Sequence, residues 1–74
     1  NPFENIELEE AKQTLAKAIN ILPDKEKMVV TLYYYEELTL KEISLILKLS
    51  EARVSQLHTK AVIRLKGALA NKTI

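Results

Sequence analysis

Residues 39–65 carry the clearest pattern in the chain, because their apolar side chains recur at steps of three and four in two runs. The apolar positions are Ile43, Ile46 and Leu47 in the first run, and Val54, Leu57 and Ala61 in the second. Such spacing places the apolar side chains of each run on one face of a helix. The pattern therefore predicts two consecutive helices that pack against each other through these faces.

Capping residues mark the start of both predicted helices. Thr39, followed three residues later by Glu42, forms a capping box in which each side chain accepts from the other residue's backbone N–H. Ser50 is a suitable N-cap for the second helix. In the turn, Leu49 is placed to fill the gap between the helices. Lys48 stands where such turns usually have glycine, so either it adopts a left-handed backbone or the turn differs.

Two short helices joined by a tight turn, with a basic and polar second helix, have the layout of a helix-turn-helix. This unit places its second helix in the major groove of DNA. The alternative is a plain antiparallel helical hairpin with a solvated charged face. The apolar spacing, together with the small Ser44 where the helices would cross, favours a helix-turn-helix over about residues 39–66.

The first half of the chain predicts two further helices that support the helix-turn-helix. Asn5 is a candidate N-cap for the first helix, which is expected to end near Ile21, and Pro23 suits the first turn of the second. The residues expected to face inward are Leu8, Ala11, Leu15, Ala18, Ile19, Met28, Val29, Leu32 and one or two of Tyr33, Tyr34 and Tyr35. The sequence thus predicts an all-α fold, a small four-helix domain with a C-terminal helix-turn-helix.

Composition favours one small helical domain spanning residues 1–74. One glycine and two prolines leave little chain for loops, and the absence of cysteine excludes disulfides and thiolate chemistry. No stretch has the length and apolarity of a membrane span or the layout of a signal peptide, so we expect a cytoplasmic location and no membrane partner. Because the chain begins with Asn-Pro, we expect a domain excised from a longer chain.

The net charge of +1 conceals a gradient along the chain. Residues 1–37 carry a net charge of −4, whereas residues 51–74 carry +4. A phosphate backbone would be attracted to the C-terminal third and repelled by the N-terminal half. The gradient therefore favours one specific DNA-binding face over general binding of polyanions.

Residues capable of catalysis are few and isolated. His58 is the only histidine and has no metal-spaced partner, so we expect it at the surface or near phosphates. The glutamates are spread over helical faces expected to be exposed, and Ser50 and Ser55 lack an activating base at a recognisable spacing. We therefore expect no enzymatic activity, no cofactor and no metal site.

Four segments resemble region 4, the C-terminal domain of bacterial sigma factors, and in particular that of the flagellar and motility class. They are Leu-Pro-Asp-Lys-Glu-Lys at 22–27, Val-Val-Thr-Leu-Tyr-Tyr-Tyr at 29–35, Leu-Thr-Leu-Lys-Glu-Ile at 38–43 and Ser-Glu-Ala-Arg-Val-Ser-Gln-Leu-His-Thr-Lys-Ala at 50–61. The similarity covers roughly residues 15–68. It implies a domain that recognises the −35 element of double-stranded promoter DNA and docks on the β flap of the RNA polymerase core. In this class it also implies an anti-sigma factor as a partner.

The resemblance further implies roles for individual residues. Those implied to read bases are Glu51, Ala52, Ser55 and Gln56, and those implied to hold phosphates are Leu40, Lys41, Ser50, Arg53 and Lys60. Housekeeping sigma factors usually have arginine at the positions of Glu51 and Ser55, and arginine pairs with guanine through two hydrogen bonds. Gln56 suits adenine, and Ala52 suits a thymine methyl group. We therefore expect an A/T-rich upstream element and poor reading of the housekeeping element.

Two other functions fit the same helical layout. One is the DNA-binding domain of a LuxR-type transcription regulator, although the Leu-Pro entry at 22–23 and the tyrosine run favour a sigma factor. The other is a protein-interaction module whose basic helix never contacts DNA. Salt-dependent binding to duplex DNA would exclude the second alternative.

Overall fold

The structure is a computed structural model that describes residues 2–71, with side chains from residue 5 onward. It contains four α-helices, α1 (Pro2–Asn20), α2 (Asp24–Val30), α3 (Leu40–Leu47) and α4 (Glu51–Asn71), and a π-helix (Thr31–Tyr35) that continues α2. Residues 2–71 include no strand. The predicted all-α four-helix fold is confirmed. The predicted domain limits, residues 1 and 74, and Lys72 of the charge count lie outside the described residues.

Helix α1 is packed only along its C-terminal half. It begins at Pro2, so Asn5 lies within the helix and does not cap it, and it ends at Asn20 as expected. Ala18 is buried, whereas Leu8 and Ala11 are exposed, contrary to the prediction. The other helices cover only the C-terminal half of α1, and sequence periodicity cannot indicate how far such coverage extends.

The residues on the buried face of α2 differ in part from the predicted ones. Glu26, Val29 and Val30 are buried, whereas Met28 is 50% exposed. Glu26, Val29 and Val30 follow helical spacing, so the buried face includes a carboxylate in place of the methionine. The prediction is confirmed for Val29, which is buried, and for Leu32, which packs on the core, and it is wrong for Met28.

The core consists of two clusters joined by α4. The first contains Val29, Ile43, Val54 and Leu57, and the second contains Leu22, Val30 and Ala61. The inward stripe predicted for α4 is confirmed. In α3, Ile43 and Ser44 are buried and Leu47 packs on the first cluster, whereas Ile46 is 56% exposed, contrary to the prediction. Ser44 occupies the inward side of α3, which leaves Ile46 on the outer side.

The predicted capping box is present at the start of α3. The Glu42 backbone N–H donates to Thr39 Oγ1 at 3.1 Å, and the Thr39 backbone N–H donates to Glu42 Oε1 at 3.0 Å. These bonds from the backbone and side chain of Thr39 lower the pKa of Glu42 below its ordinary value of 4.5. Because the bonds favour the charged carboxylate, its contribution to stability is present above pH 4.5 and is lost as the pH falls through the lowered pKa. The cap is therefore fully formed at neutral pH.

The turn between α3 and α4 adopts the left-handed alternative. Lys48 has φ 58° and ψ 42°, and the Leu49 backbone N–H donates to the Ser44 carbonyl at 3.0 Å. Leu49 then packs against the first core cluster. Ser50 Oγ accepts from the Arg53 backbone N–H at 3.0 Å, as its predicted N-cap role requires. The turn thus fixes the start of α4 relative to α3.

Lys48→Gly is expected to stabilise the domain by about 0.5–1 kcal/mol. Glycine adopts the left-handed backbone without steric cost, and this gain exceeds the entropy that glycine adds to the unfolded chain. Denaturant unfolding measures the difference. The matched control is Glu36→Gly, because Glu36 has φ −91° and gains nothing from glycine. Equal effects of the two glycines would contradict the assignment of strain to Lys48.

Candidate nucleic-acid interface

The four residues predicted to read bases lie together on the first two turns of α4. Glu51, Ala52, Ser55 and Gln56 are all exposed. At about 100° per residue they fall within an arc of about 140°. Val54 and Leu57, on the other side of these turns, are 0% and 4% exposed. The packing of α4 against α2 and α3 therefore leaves these four side chains directed to solvent on one convex face.

The five residues predicted to hold phosphates differ in their exposure to solvent. Lys41, Ser50 and Lys60 are exposed, whereas Leu40 and Arg53 are half-buried. Leu40 packs against the first core cluster, so its backbone N–H at the start of α3 is the group suited to a phosphate. Ser50 already uses its hydroxyl oxygen to cap α4. Ser50 lies at the turn, whereas Leu40 and Lys41 lie at the opposite end of α3 and Lys60 lies in the middle of α4.

Arg53 contacts one of the predicted base readers. Its Nη1 lies 3.4 Å from Gln56 Oε1, to which it donates. A glutamine that reads adenine needs this same oxygen for the adenine amino group. The contact is long and exposed, so Arg53 influences the orientation of the Gln56 amide but leaves it able to bind a base.

Sequence reasoning missed the environment of His58. This side chain is half-buried, and its Nε2 is hydrogen-bonded to Tyr34 Oη at 2.7 Å. Its ring centroid lies 5.0 Å from that of Tyr33 and 5.6 Å from that of Tyr34. His58 therefore packs in an aromatic cluster, and the expected surface or phosphate-side position is wrong. The only signal in the sequence was the run of three tyrosines, and it did not indicate that these rings would pack against α4.

A second missed feature is an ion pair between α2 and α4. Arg64 Nε donates to Glu26 Oε1 at 2.9 Å, and the side chain of Glu26 is only 5% exposed. The expectation that the glutamates occupy exposed faces is therefore wrong for Glu26. The spacing of 38 residues between the partners gave no local signal for the pair.

An apolar groove lies on the domain, between α1, the α2–π segment and the second half of α4. It has a volume of about 400 Å³ and is lined by Leu15, Ile19, Val30, Tyr34, Tyr35, Val62, Leu65, Lys66 and Leu69. Tyr34 and Tyr35 are 51% and 67% exposed. Lys66 is the one charged side chain in this lining. The groove thus exposes apolar surface of a kind that suits an apolar partner.

The residues that the structure describes offer no candidate metal site. Among residues 2–71, no three histidine or carboxylate side chains come together as a candidate metal site. None of the described helices is long and apolar enough to cross a membrane. The features that remain are the exposed face of α4 and the apolar groove.

Comparisons with known proteins agree on one family. Residues 18–67 match the family described as Sigma-70, region 4. The chain is 49% identical over 71 residues to RNA polymerase sigma factor FliA of Yersinia enterocolitica, a match that covers 96% of this chain and 31% of that protein. It is 48% identical over 68 residues to the RNA polymerase sigma-D factor of Bacillus subtilis, covering 92% of this chain and 27% of that protein.

A solved structure has the same fold. The structure titled as the cocrystal of the flagellar sigma/anti-sigma complex, Sigma-28/FlgM, superposes with a TM-score of 0.82 at 42% identity, covering 96% of this chain and 30% of that one. The chain thus spans about three-tenths of the length of these relatives. The family match includes α2, the helix-turn-helix and most of α4. The chain belongs to the sigma-70 region 4 family.

Proposed function

We propose that this domain recognises the −35 element of promoters for a sigma factor of the flagellar class, and so directs transcription initiation at flagellar and motility genes. The observation that carries the proposal is the exposed polar face of α4, opposite the buried Val54 and Leu57 and fixed by the capped turn. The domain acts by binding DNA and proteins and is not an enzyme. Its site of action is the cytoplasm, where the promoter DNA lies.

In this proposal the first two turns of α4 enter the major groove. Gln56 pairs with adenine and Ala52 contacts a thymine methyl group, so the preferred element is A/T-rich. Lys41, Lys60 and the N-termini of α3 and α4 hold the backbone on either side. The net charge of −4 in residues 1–37 keeps the opposite part of the domain away from DNA.

The apolar groove is the proposed docking site for the β flap of the RNA polymerase core. The relatives are RNA polymerase sigma factors, and their function requires a stable contact with the core enzyme. The groove is apolar, is lined by the exposed rings of Tyr34 and Tyr35, and meets α4 only from Val62 onward, six residues beyond Gln56. The first two turns of α4 are therefore left free for DNA while the groove is occupied.

An anti-sigma factor is a further proposed partner. The similar solved structure is titled as a complex of a flagellar sigma factor with its anti-sigma protein. The two proteins share 42% of their residues over 96% of this chain, and they share the same fold there. We expect such a protein to bind this domain and to compete with polymerase or promoter DNA.

Gln56→Ala and Lys60→Ala are expected to weaken promoter binding in different ways. Loss of Gln56 should cost about 1–3 kcal/mol on the preferred element and little on other sequences, because it removes a base contact. Loss of Lys60 should weaken binding to all sequences alike and lower the salt slope by about one unit, because it removes a phosphate contact. Binding of holoenzyme to a series of −35 variants at several salt concentrations measures both effects.

Lys17→Ala is the matched control for these variants, because Lys17 is an exposed lysine on α1 that belongs neither to the proposed DNA contacts nor to the groove. It should leave both the sequence preference and the salt slope close to those of the parent. If Gln56→Ala and Lys60→Ala gave the same pattern across the series, the proposed roles on α4 would be wrong. Binding with no salt dependence would instead favour a protein-interaction module.

A further inference from the structure

Tyr34 connects the groove with the N-terminal half of α4. Its ring lines the apolar groove and is 51% exposed. Its hydroxyl group is hydrogen-bonded to Nε2 of His58 at 2.7 Å, and His58 lies on α4, the proposed DNA-reading helix. The groove otherwise meets α4 only from Val62 onward, so this bond extends its contact toward the proposed base readers.

The link lies close to the proposed base readers. His58 follows Gln56 by two residues and Ser55 by three, less than one helical turn away. The rings of Tyr34 and His58 are stacked at 26°, and Tyr33 packs edge-on against Tyr34 at 4.8 Å. Because Nε2 of His58 faces Tyr34, this histidine acts through the tyrosine and not on the bases.

The backbone that carries Tyr34 is itself unusual. Residues Thr31–Tyr35 form a π-helix, closed by the Glu36 N–H donating to the Thr31 carbonyl at 3.2 Å. Glu37, two residues beyond Tyr35 at the end of the π-helix, has a left-handed φ of 56°. π-Helical turns are rare and often occur at functional sites.

We propose that Tyr34 is a positioning residue that couples occupation of the groove to base reading by α4 through its hydrogen bond to His58. The inference rests on the proposed function, with the β flap as the occupant. When the flap packs against the Tyr34 ring, it holds the Tyr34 hydroxyl group in its hydrogen bond to His58. This bond in turn restricts the movement of α4 relative to the π-helix. By thermodynamic reciprocity, DNA bound to α4 favours the Tyr34 position that the flap contacts.

Tyr34→Phe tests the coupling, because it removes the hydroxyl group and keeps the ring in the groove. The experiment uses the full sigma factor with core polymerase and compares promoter binding with the preferred and a scrambled −35 element. The preference for the intact element should fall about threefold to tenfold, the range for one neutral hydrogen bond. The affinity of sigma for core polymerase without DNA is measured alongside, so that a loss of sequence preference is separated from a loss of flap docking.

Tyr33→Phe is the matched control, since Tyr33 packs on the rings of Tyr34 and His58 but does not line the groove, and no hydrogen bond from its hydroxyl is found among the described residues. It should leave the preference unchanged. His58→Phe keeps an aromatic ring but loses Nε2, so it should reproduce the loss seen with Tyr34→Phe. The double variant should be no worse than either single variant.

The reciprocal measurement separates coupling from a merely structural role. A duplex carrying the −35 element should tighten core binding by the parent sigma factor, and this gain should shrink in Tyr34→Phe. A lower melting temperature with an unchanged preference and an unchanged gain would overturn the inference, as would equal effects of Tyr34→Phe and Tyr33→Phe. If the parent showed no preference for the intact element, the proposed function would fail and the inference with it.

Discussion

Leu57→Ala is expected to lower the free energy of unfolding by about 2–5 kcal/mol, because it leaves a cavity in the main core. Leu57 is 4% exposed and packs with Val29, Ile43 and Val54. Small domains are stable by only about 5–15 kcal/mol in total, so the loss is a large fraction of that stability. Denaturant unfolding followed by circular dichroism measures it.

Leu45→Ala is the control for this cavity, because Leu45 is the same residue type but is 71% exposed on α3. Its effect should stay within about 0.5 kcal/mol. An unchanged unfolding midpoint for Leu57→Ala would show that the register of α4 is wrong. The DNA-reading face would then be misplaced as well, since it is defined as the side opposite Leu57.

Arg64→Ala is expected to destabilise the domain by about 1–3 kcal/mol, because it leaves the buried carboxylate of Glu26 without its partner. The side chain of Glu26 is 5% exposed and that of Arg64 is 58% exposed. Solvent around the guanidinium group keeps the cost below that of a fully buried pair. Adding Glu26→Met to Arg64→Ala should restore most of the loss, because the double variant contains no unpaired buried charge.

Lys12→Ala provides a comparison for this ion pair. Lys12 pairs with Glu9 at 3.4 Å, and both side chains are more than 60% exposed. Its removal should cost no more than about 0.5 kcal/mol. If Arg64→Ala cost as little as Lys12→Ala, the Glu26 carboxylate would not depend on Arg64, and the pair would not be what fixes α2 against α4.

The helix-turn-helix was predictable because its determinants are local. Each determinant involves residues only a few positions apart in the sequence. The determinants are the capping box of Thr39 and Glu42, the Ser50 cap and the apolar steps of α4, and all are present. The left-handed Lys48 was one of two predicted alternatives. Features that depend on contacts between distant segments were missed, such as the Glu26–Arg64 pair and the Tyr34–His58 bond.

The candidate site was also predictable where it depends on local sequence and not where it depends on tertiary packing. Helical periodicity identifies which side of α4 is exposed, and therefore which residues are available to DNA. Their separate roles as base readers or phosphate contacts came from the resemblance to sigma region 4 and stay predictions. The groove could not be predicted, because its lining comes from α1, the α2–π segment and α4, whose relative positions depend on tertiary packing.

The most direct test of the central claim maps where α4 lies on promoter DNA. The 74 residues contain no cysteine, so Thr59→Cys offers one defined attachment point in this domain for a DNA-cleaving iron chelate. Thr59 is exposed on the same side of α4 as the base-reading residues and is not itself a proposed contact. Other cysteines of the full sigma factor are first replaced. Glu10→Cys, on the exposed part of α1, is the control. In holoenzyme on a promoter, the Thr59→Cys conjugate should cleave DNA within or next to the −35 element and the Glu10→Cys conjugate should not. Absence of cleavage there by the Thr59→Cys conjugate, or equal cleavage by both conjugates, would contradict the claim that α4 reads this element.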